Sequence, residues 1–150
     1  MTHSKLFHNL TALFLLMAVL AACAPAAAPQ ISVEGAWGRP SMDMPMTGAM
    51  FMQIKNNGDA PDKLLSGSSP ACGSIEIHEM VMKMDGSMGM NLVDKPLEVS
   101  AGGALTLEPG GYHIMCIQKT DKFVPGTSVD LTLVFEKSGE KTVSVELRQE

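Results

Sequence analysis

Short segments that alternate between apolar and polar residues recur along most of this chain, and clusters of glycine, proline or asparagine separate them. Residues 31–37 and 49–55 show the pattern in the first half, and residues 112–118 show it in the second. Alternation with a period of two is typical of a strand with one buried face, whereas a helix repeats its apolar residues every three or four positions. We find no amphipathic helix of useful length, so the sequence predicts an all-β fold.

About eight or nine such strands are predicted, with a turn signal roughly every ten residues, and this spacing favours a β-sandwich with Greek-key connections. The predicted strands are 31–37, 49–55, 63–66, 75–80, 97–99, 104–107, 112–118, 128–136 and 142–148. Residues 56–59 are predicted to form a hairpin-type turn in which the Asn-Gly pair supplies a positive φ. Residues 83–91 are rich in Gly, Asp and Ser, which predicts a loop.

Residues 1–22 are predicted to be a secretory signal peptide. Lys5 precedes an apolar run from Leu10 to Leu20, and this run is too short to span a bilayer. The run ends just before Cys23 in a pattern similar to the bacterial lipobox, so we expect Cys23 to become the lipidated first residue of the mature protein. An ordinary signal peptide cut nearby, with Cys23 incidental, is the alternative.

The rest of the chain is expected to hold a tether and one domain. Residues 23–30 are rich in Ala and Pro without a core-forming pattern, which is typical of a tether. Residues 31–150 have the length of a single domain with a modest core. We therefore expect an exported protein that is lipid-anchored on the extracytoplasmic face of the membrane or in the periplasm, with the anchor as its membrane contact.

The composition argues against two broad classes of function. The chain carries 11 basic and 16 acidic residues, with one Trp and one Tyr, and it has no basic patch, so nucleic acid is not an expected partner. No Ser/His/Asp arrangement can be assembled without the two histidines discussed below, and no Gly-rich phosphate loop follows a strand. We therefore do not expect an enzyme.

The histidines that remain after removal of the signal peptide lie at the two ends of one segment, Ile77–Ile117. Each begins a His-x-Met unit, His78-Glu79-Met80 and His113-Ile114-Met115. Period-two spacing places each His and its Met on the same face of a strand. If the two strands are neighbours, two imidazoles and two thioethers converge. Thioether sulfur is a soft ligand and neutral imidazole suits copper, so the pattern predicts a Cu(I) site.

Other methionines also need an explanation. Core packing is the ordinary role of methionine, and it accounts in part for Met50 and Met52, which lie in a predicted strand. Those in or beside the predicted polar loop do not fit core packing easily, and they are Met82, Met84, Met88 and Met90. A third cluster either supplies an auxiliary, weaker copper site or is an exposed loop without ligands. It consists of Met42, Met44 and Met46.

These motifs resemble the periplasmic copper chaperone family PCuAC, whose signature is a His, an intervening Met and a final His-x-Met. The signature falls on His78, Met90, His113 and Met115 of this chain. Further similar segments are Ala36–Pro40, Thr47–Ala49, Ser69–Pro70, Ala101–Gly103 and Leu107–His113. The resemblance runs from about residue 36 to about residue 134, which is nearly all of the predicted domain.

The resemblance implies a cupredoxin-like β-sandwich that binds Cu(I) through these four residues and passes it toward cytochrome c oxidase assembly. Its partners would be a Sco-type copper protein or the oxidase subunit that carries the copper site. The spacing on each side of Met90 is one residue longer than the family pattern. Met80, Met84 and Met88 are therefore retained as additional or substitute ligands.

Cys72 and Cys116 are the two cysteines left once Cys23 is lipidated, an even number in an oxidising compartment. A blue-copper site would need Cys116 together with two His and a weak Met, but Met115 and Cys116 point to opposite faces of one strand. We therefore expect a Cys72–Cys116 disulfide between adjacent strands, with two free buried thiols as the alternative. An electron-transfer cupredoxin and a metal-independent lipoprotein interaction module remain alternative functions.

Overall fold

The computed structural model describes residues 27–41 and 44–149. The predicted signal peptide, the lipidation residue Cys23 and Met42 lie outside the described residues. The described part contains ten strands and no helix, and thus no helix that could cross a membrane. The strands are β1 (Ile31–Pro40), β2 (Thr47–Asn56), β3 (Asp62–Ser68), β4 (Cys72–Met82), β5 (Met88–Leu92), β6 (Leu97–Val99), β7 (Ala104–Leu107), β8 (Tyr112–Lys119), β9 (Ser128–Phe135) and β10 (Gly139–Leu147).

The strands form one hydrogen-bonded path in the order β5-β4-β8-β2-β1-β10-β9-β3-β6, and β7 pairs with β2. β1 is parallel to β10, whereas the other pairs are antiparallel. β3 and β4 are far apart in this order and yet contact each other, because the sheet folds over on itself. The first half of β2 pairs with β8 and its second half with β7, so β2 runs from one layer into the other. The predicted all-β fold is confirmed.

One apolar core lies between the two layers. Its buried members come from both halves of the chain and include Met50, Met52, Ile54, Leu64, Ile77, Leu107, Ile114, Leu131, Leu133, Phe135, Val145 and Leu147. Met50 and Met52 are therefore core residues, as the strand pattern indicated in part. Cys116 also belongs to the core, whereas Met115 beside it in β8 does not. Each strand thus divides its side chains between a core face and an outer face.

The predicted loop over residues 83–91 is wrong in its second half. Only residues 83–87 form the turn, which is closed by a hydrogen bond from the Lys83 amide to the Ser87 carbonyl at 2.8 Å. Gly86 there adopts a φ of 82°. Met88 to Leu92 form β5, which pairs antiparallel with β4. The polar residues are concentrated in the turn itself, while Met88, Met90 and Leu92 alternate as a strand requires.

The predicted hairpin at residues 56–59 is also wrong, because β2 and β3 do not pair. Gly58 is not among the glycines with a positive φ. A Cβ at Gly58 would instead collide with the backbone of residues 28–30. The Gln30 amide donates to Asn56 Oδ1 at 3.0 Å, and the Asn57 amide donates to the Gln30 carbonyl at 2.9 Å. Close approach of the N-terminal segment, and not turn geometry, explains this glycine.

A disulfide joins Cys72 of β4 to Cys116 of β8, with a Cα–Cα distance of 5.3 Å. Cys116 is fully buried, and β4 and β8 also pair along their length from Cys72 to Glu79. The covalent bond and the ladder of hydrogen bonds therefore fix the same pair of strands, which carry the two histidines.

Replacing both cysteines by alanine should lower the free energy of unfolding by about 2–4 kcal/mol, because the disulfide restricts the unfolded chain across a separation of 44 residues. Urea unfolding of the double variant beside the oxidised wild type measures this difference. Mass spectrometry with and without reductant tests the bond itself. An unchanged mass after reduction would contradict it.

Candidate metal site

His78 and His113 lie directly opposite each other on adjacent strands, β4 and β8. Their ring centroids are 6.0 Å apart, with an angle of 44° between the ring planes. An imidazole nitrogen binds a metal ion at about 2.0–2.1 Å, so a single ion fits between two rings at this separation. The two His-x-Met units of the sequence therefore meet in space.

Several thioethers share the face of the sheet that carries the histidines. Opposed residues in an antiparallel pair lie on the same face, and Met115 is opposite Glu76 across β8 and β4. On the other side of β4, Met80 is opposite Met90 and Met82 is opposite Met88. The outer face at this edge of the sheet is consequently rich in sulfur.

A cleft of about 450 Å³ opens over this face. His113 and Met115 line it and are each only 4% exposed, so they form its base. Met80, Met88 and Met90 line it from the β4–β5 hairpin. Opposite them, the connection between β1 and β2 supplies Met44, which lines the cleft as well. The cleft therefore brings five methionines and one imidazole around a common space, beside the second imidazole.

The hydrogen bonding of His113 leaves one ring nitrogen for a ligand. Its Nδ1 lies 3.1 Å from the Gly111 carbonyl oxygen. A carbonyl accepts only, so Nδ1 carries the proton and the Nε2 lone pair is free. Burial lowers the pKa of His113, the Gly111 carbonyl acts in the opposite direction, and the charge of His78 lowers it further. Neutral imidazole, the form that binds metals, is thus the stable form.

His78 also has one ring nitrogen in a hydrogen bond and one without a partner. Its Nε2 lies 2.8 Å from Glu76 Oε2, and a carboxylate in that position accepts a hydrogen bond from the ring N–H. Its Nδ1 is buried and has no hydrogen-bond partner in the structure. An unsatisfied buried polar atom costs about 1–3 kcal/mol, and a metal ion at Nδ1 would remove that cost. The donor atoms at both rings therefore fit a metal.

Sequence reasoning missed the aromatic wall of the cleft. Phe51 lines the cleft and is 3% exposed, with its ring centroid 6.2 Å from that of His113. Trp37 packs on Phe51 at 4.6 Å, and the Arg39 guanidinium lies 5.8 Å from the Phe51 centroid. The alternation in β2 could have indicated this role, because it places Phe51 on the opposite face of the strand from Met50 and Met52. The buried Phe51 ring therefore forms an apolar wall of the cleft beside His113.

Some predicted residues lie elsewhere. Met84 is fully exposed in the β4–β5 turn and does not line the cleft. Cys72 and Cys116 are joined to each other, so neither supplies a thiolate. Within the described residues, no three His, Cys, Asp or Glu side chains form a group that could hold a metal ion. A blue-copper centre needs a thiolate, so this part of the chain does not provide one.

Comparison with known sequences identifies the family of this chain. Residues 31–147 match the model of the LpqE-like lipoprotein family. Lxx21020 of Leifsonia xyli subsp. xyli, which has lipoprotein in its name, is 30% identical over 118 residues, 79% of this chain and 69% of that protein. RP573 of Rickettsia prowazekii is 27% identical over 114 residues, 74% of this chain and 62% of that protein. The chain thus spans about two thirds of these relatives.

Solved structures share the fold. The apo PCuAC domain from PmoF1 superposes with a TM-score of 0.67 at 26% identity, over 82% of this chain and 100% of that one. The solution structure of CuI-DR1885 from Deinococcus radiodurans gives 0.61 at 26% identity, over 87% and 83%. The copper-bound PCuAC domain from PmoF2 gives 0.66 at 24% identity, over 84% and 97%, a likeness of fold alone. The predicted cupredoxin-like fold is confirmed.

Because burial lowers the pKa of His113 in the folded chain, metal-free protein should lose stability as the pH falls below about 6.5, where an unfolded histidine takes up a proton. The contribution is fully present above that pH and is lost as the pH falls through the lower folded pKa. Urea unfolding with a chelator present, between about pH 7.5 and pH 5, measures the slope. His113→Gln should flatten it, and an equally steep slope in that variant would contradict the assignment.

Proposed function

The chain belongs to the LpqE-like, PCuAC-type family of lipoproteins, and from this membership we propose that it is an extracytoplasmic metallochaperone that binds Cu(I). One observation carries the proposal. Two histidines face each other across adjacent strands, each with one ring nitrogen that has no hydrogen bond among the described residues, beside a cleft lined by methionines. The names of CuI-DR1885 and of the PCuAC domain from PmoF1 support copper as the metal.

The proposed ligands are His78, Met90, His113 and Met115. His113 and Met115 lie at the base of the cleft, and Met90 lines it from β5. Met80 is opposite Met90, and Met88 lies one same-face step along β5, which supports both as substitutes. Full exposure in the turn argues against Met84.

Neutral ligands suit a protein that must bind copper and then release it. Thioethers and neutral imidazoles add no charge, so bound Cu(I) keeps its single positive charge and is not locked in as it would be by thiolates. Release can then proceed by ligand exchange, one donor at a time. The cleft is open between the β1–β2 connection and the β4–β5 hairpin, so donors of a partner can enter while the histidines still hold the ion. Membership of this lipoprotein family supports a non-enzymatic role.

The proposed cellular location rests on the N-terminal sequence. We propose that residues 1–22 are removed, that Cys23 carries the lipid and that residues 23–30 tether a domain of residues 31–150 outside the cytoplasm. The recipient of the copper is proposed to be a Sco-type protein or the cytochrome c oxidase subunit that carries the copper site. A lipid anchor would keep the domain close to such membrane-bound partners.

Cu(I) binding is tested by competition with a bathocuproine-type chelator under anaerobic conditions. His113→Ala should weaken binding by roughly tenfold or more, because loss of a direct ligand costs at least as much as loss of a supporting residue. Met84→Leu is the matched control, since Met84 lies outside the cleft, and it should bind as the wild type does. Unchanged affinity in His113→Ala would overturn the proposal.

Delivery is tested separately. Cu(I)-loaded protein is mixed with the metal-free soluble domain of a Sco-type protein, the two are separated, and copper is measured in each. Because the ligands are neutral and the cleft is open, we expect copper to move to the thiolates of the recipient. Retention of all copper by the donor would contradict the chaperone role while leaving copper binding intact.

A further inference from the structure

The cleft contains more thioethers than the proposed Cu(I) site uses. Besides Met90 and Met115, three methionines line it: Met44, Met80 and Met88. We propose that these three form a second Cu(I) site, made of thioethers only, at the mouth of the cleft. The proposal rests on the proposed function for the identity of the metal, and it adds a site outside the histidine pair.

Two of the three ligands come from the β4–β5 hairpin. Met80 is opposite Met90, and Met88 lies two residues before Met90 on the same face of β5. Same-face neighbours along or diagonally across strands are about 7 Å apart, which flexible methionine side chains span. The hairpin turn is fixed by backbone hydrogen bonds at 2.8 and 2.9 Å, so the two positions are held together.

The third ligand comes from the opposite wall. The backbone of Met44 is held by its own loop: its amide donates to Ser41 Oγ at 3.2 Å, and its carbonyl accepts from the Thr47 amide at 2.9 Å. Met44 lines the cleft. Met46, two residues on, does not line the cleft and is 60% exposed. Met44 therefore differs from an ordinary exposed methionine, because it lines the cleft whereas Met46 in the same loop does not.

Depth separates the two sites. His113 and Met115 are 4% exposed, whereas Met44 and Met88 are 40% and 50% exposed; Met90, the remaining thioether of the inner site, is 40% exposed and approaches the histidines from above. An ion arriving from solvent therefore meets the thioether trio before it meets the imidazoles. Two monovalent ions in one cleft repel each other, and the Glu76 carboxylate beside His78 offsets this at the inner site. The outer site should thus be the weaker one and should act in entry and exit of the metal.

The experiment is an anaerobic Cu(I) titration of the full exported chain, with methyl-labelled methionine followed by NMR. We expect two equivalents, of which the second shifts the methyl signals of Met44, Met80 and Met88. Met44→Leu should weaken the second equivalent by about tenfold or more. Met46→Leu, the same change in the same loop but outside the cleft, should leave both equivalents unchanged.

A second variant separates this proposal from the previous one. His113→Ala should lose the tight equivalent and keep the weak one. A single equivalent in the wild type, abolished by His113→Ala, would overturn the outer site and leave the chaperone site standing. A second equivalent that shifts Met46, Met82 or Met84 in place of the trio would also overturn it. If Met44→Leu removes one equivalent while His113→Ala removes none, the outer site stands and the histidine site falls.

Discussion

The antiparallel register between β4 and β8 is the constraint on which the site depends. It sets His78 against His113, and on the same face it sets Glu76 against Met115. The disulfide between Cys72 and Cys116 ties the same two strands through the core face. A slip of one residue would turn each His toward the core and each core residue outward, so the register decides whether a metal site exists.

The division of each strand into two faces separates two uses of methionine. Met50 and Met52 fill the core, where an unbranched, flexible side chain closes gaps between layers. Met115 and the hairpin methionines lie on the outer face, where the same side chain offers sulfur to a cleft. Residue type alone does not distinguish these uses, because the same thioether serves both. The pairing of the strands distinguishes them, because it decides which face each methionine lies on.

The hydrogen bonds of the histidines add the chemical detail. The Gly111 carbonyl and the Glu76 carboxylate each accept a hydrogen bond from one ring N–H, which leaves one lone pair on each imidazole. Burial of His113 keeps that ring neutral. The aromatic pair Phe51 and Trp37 covers the adjacent surface. Together these contacts present neutral, soft donors in a cleft with one apolar wall, the setting that suits a monovalent soft ion.

The sequence by itself determined the all-β class, most strands and the two His-x-Met units, because period-two alternation is a local property of the chain. The motif around His78 and His113 also gave the family, which the match over residues 31–147 bears out. Only the tertiary structure decided that Met88 and Met90 belong to a strand, that Gly58 serves a close contact, and that Phe51 and Met44 line the cleft. These features depend on which segments lie side by side, and pairing between residues distant in sequence leaves no local pattern to read.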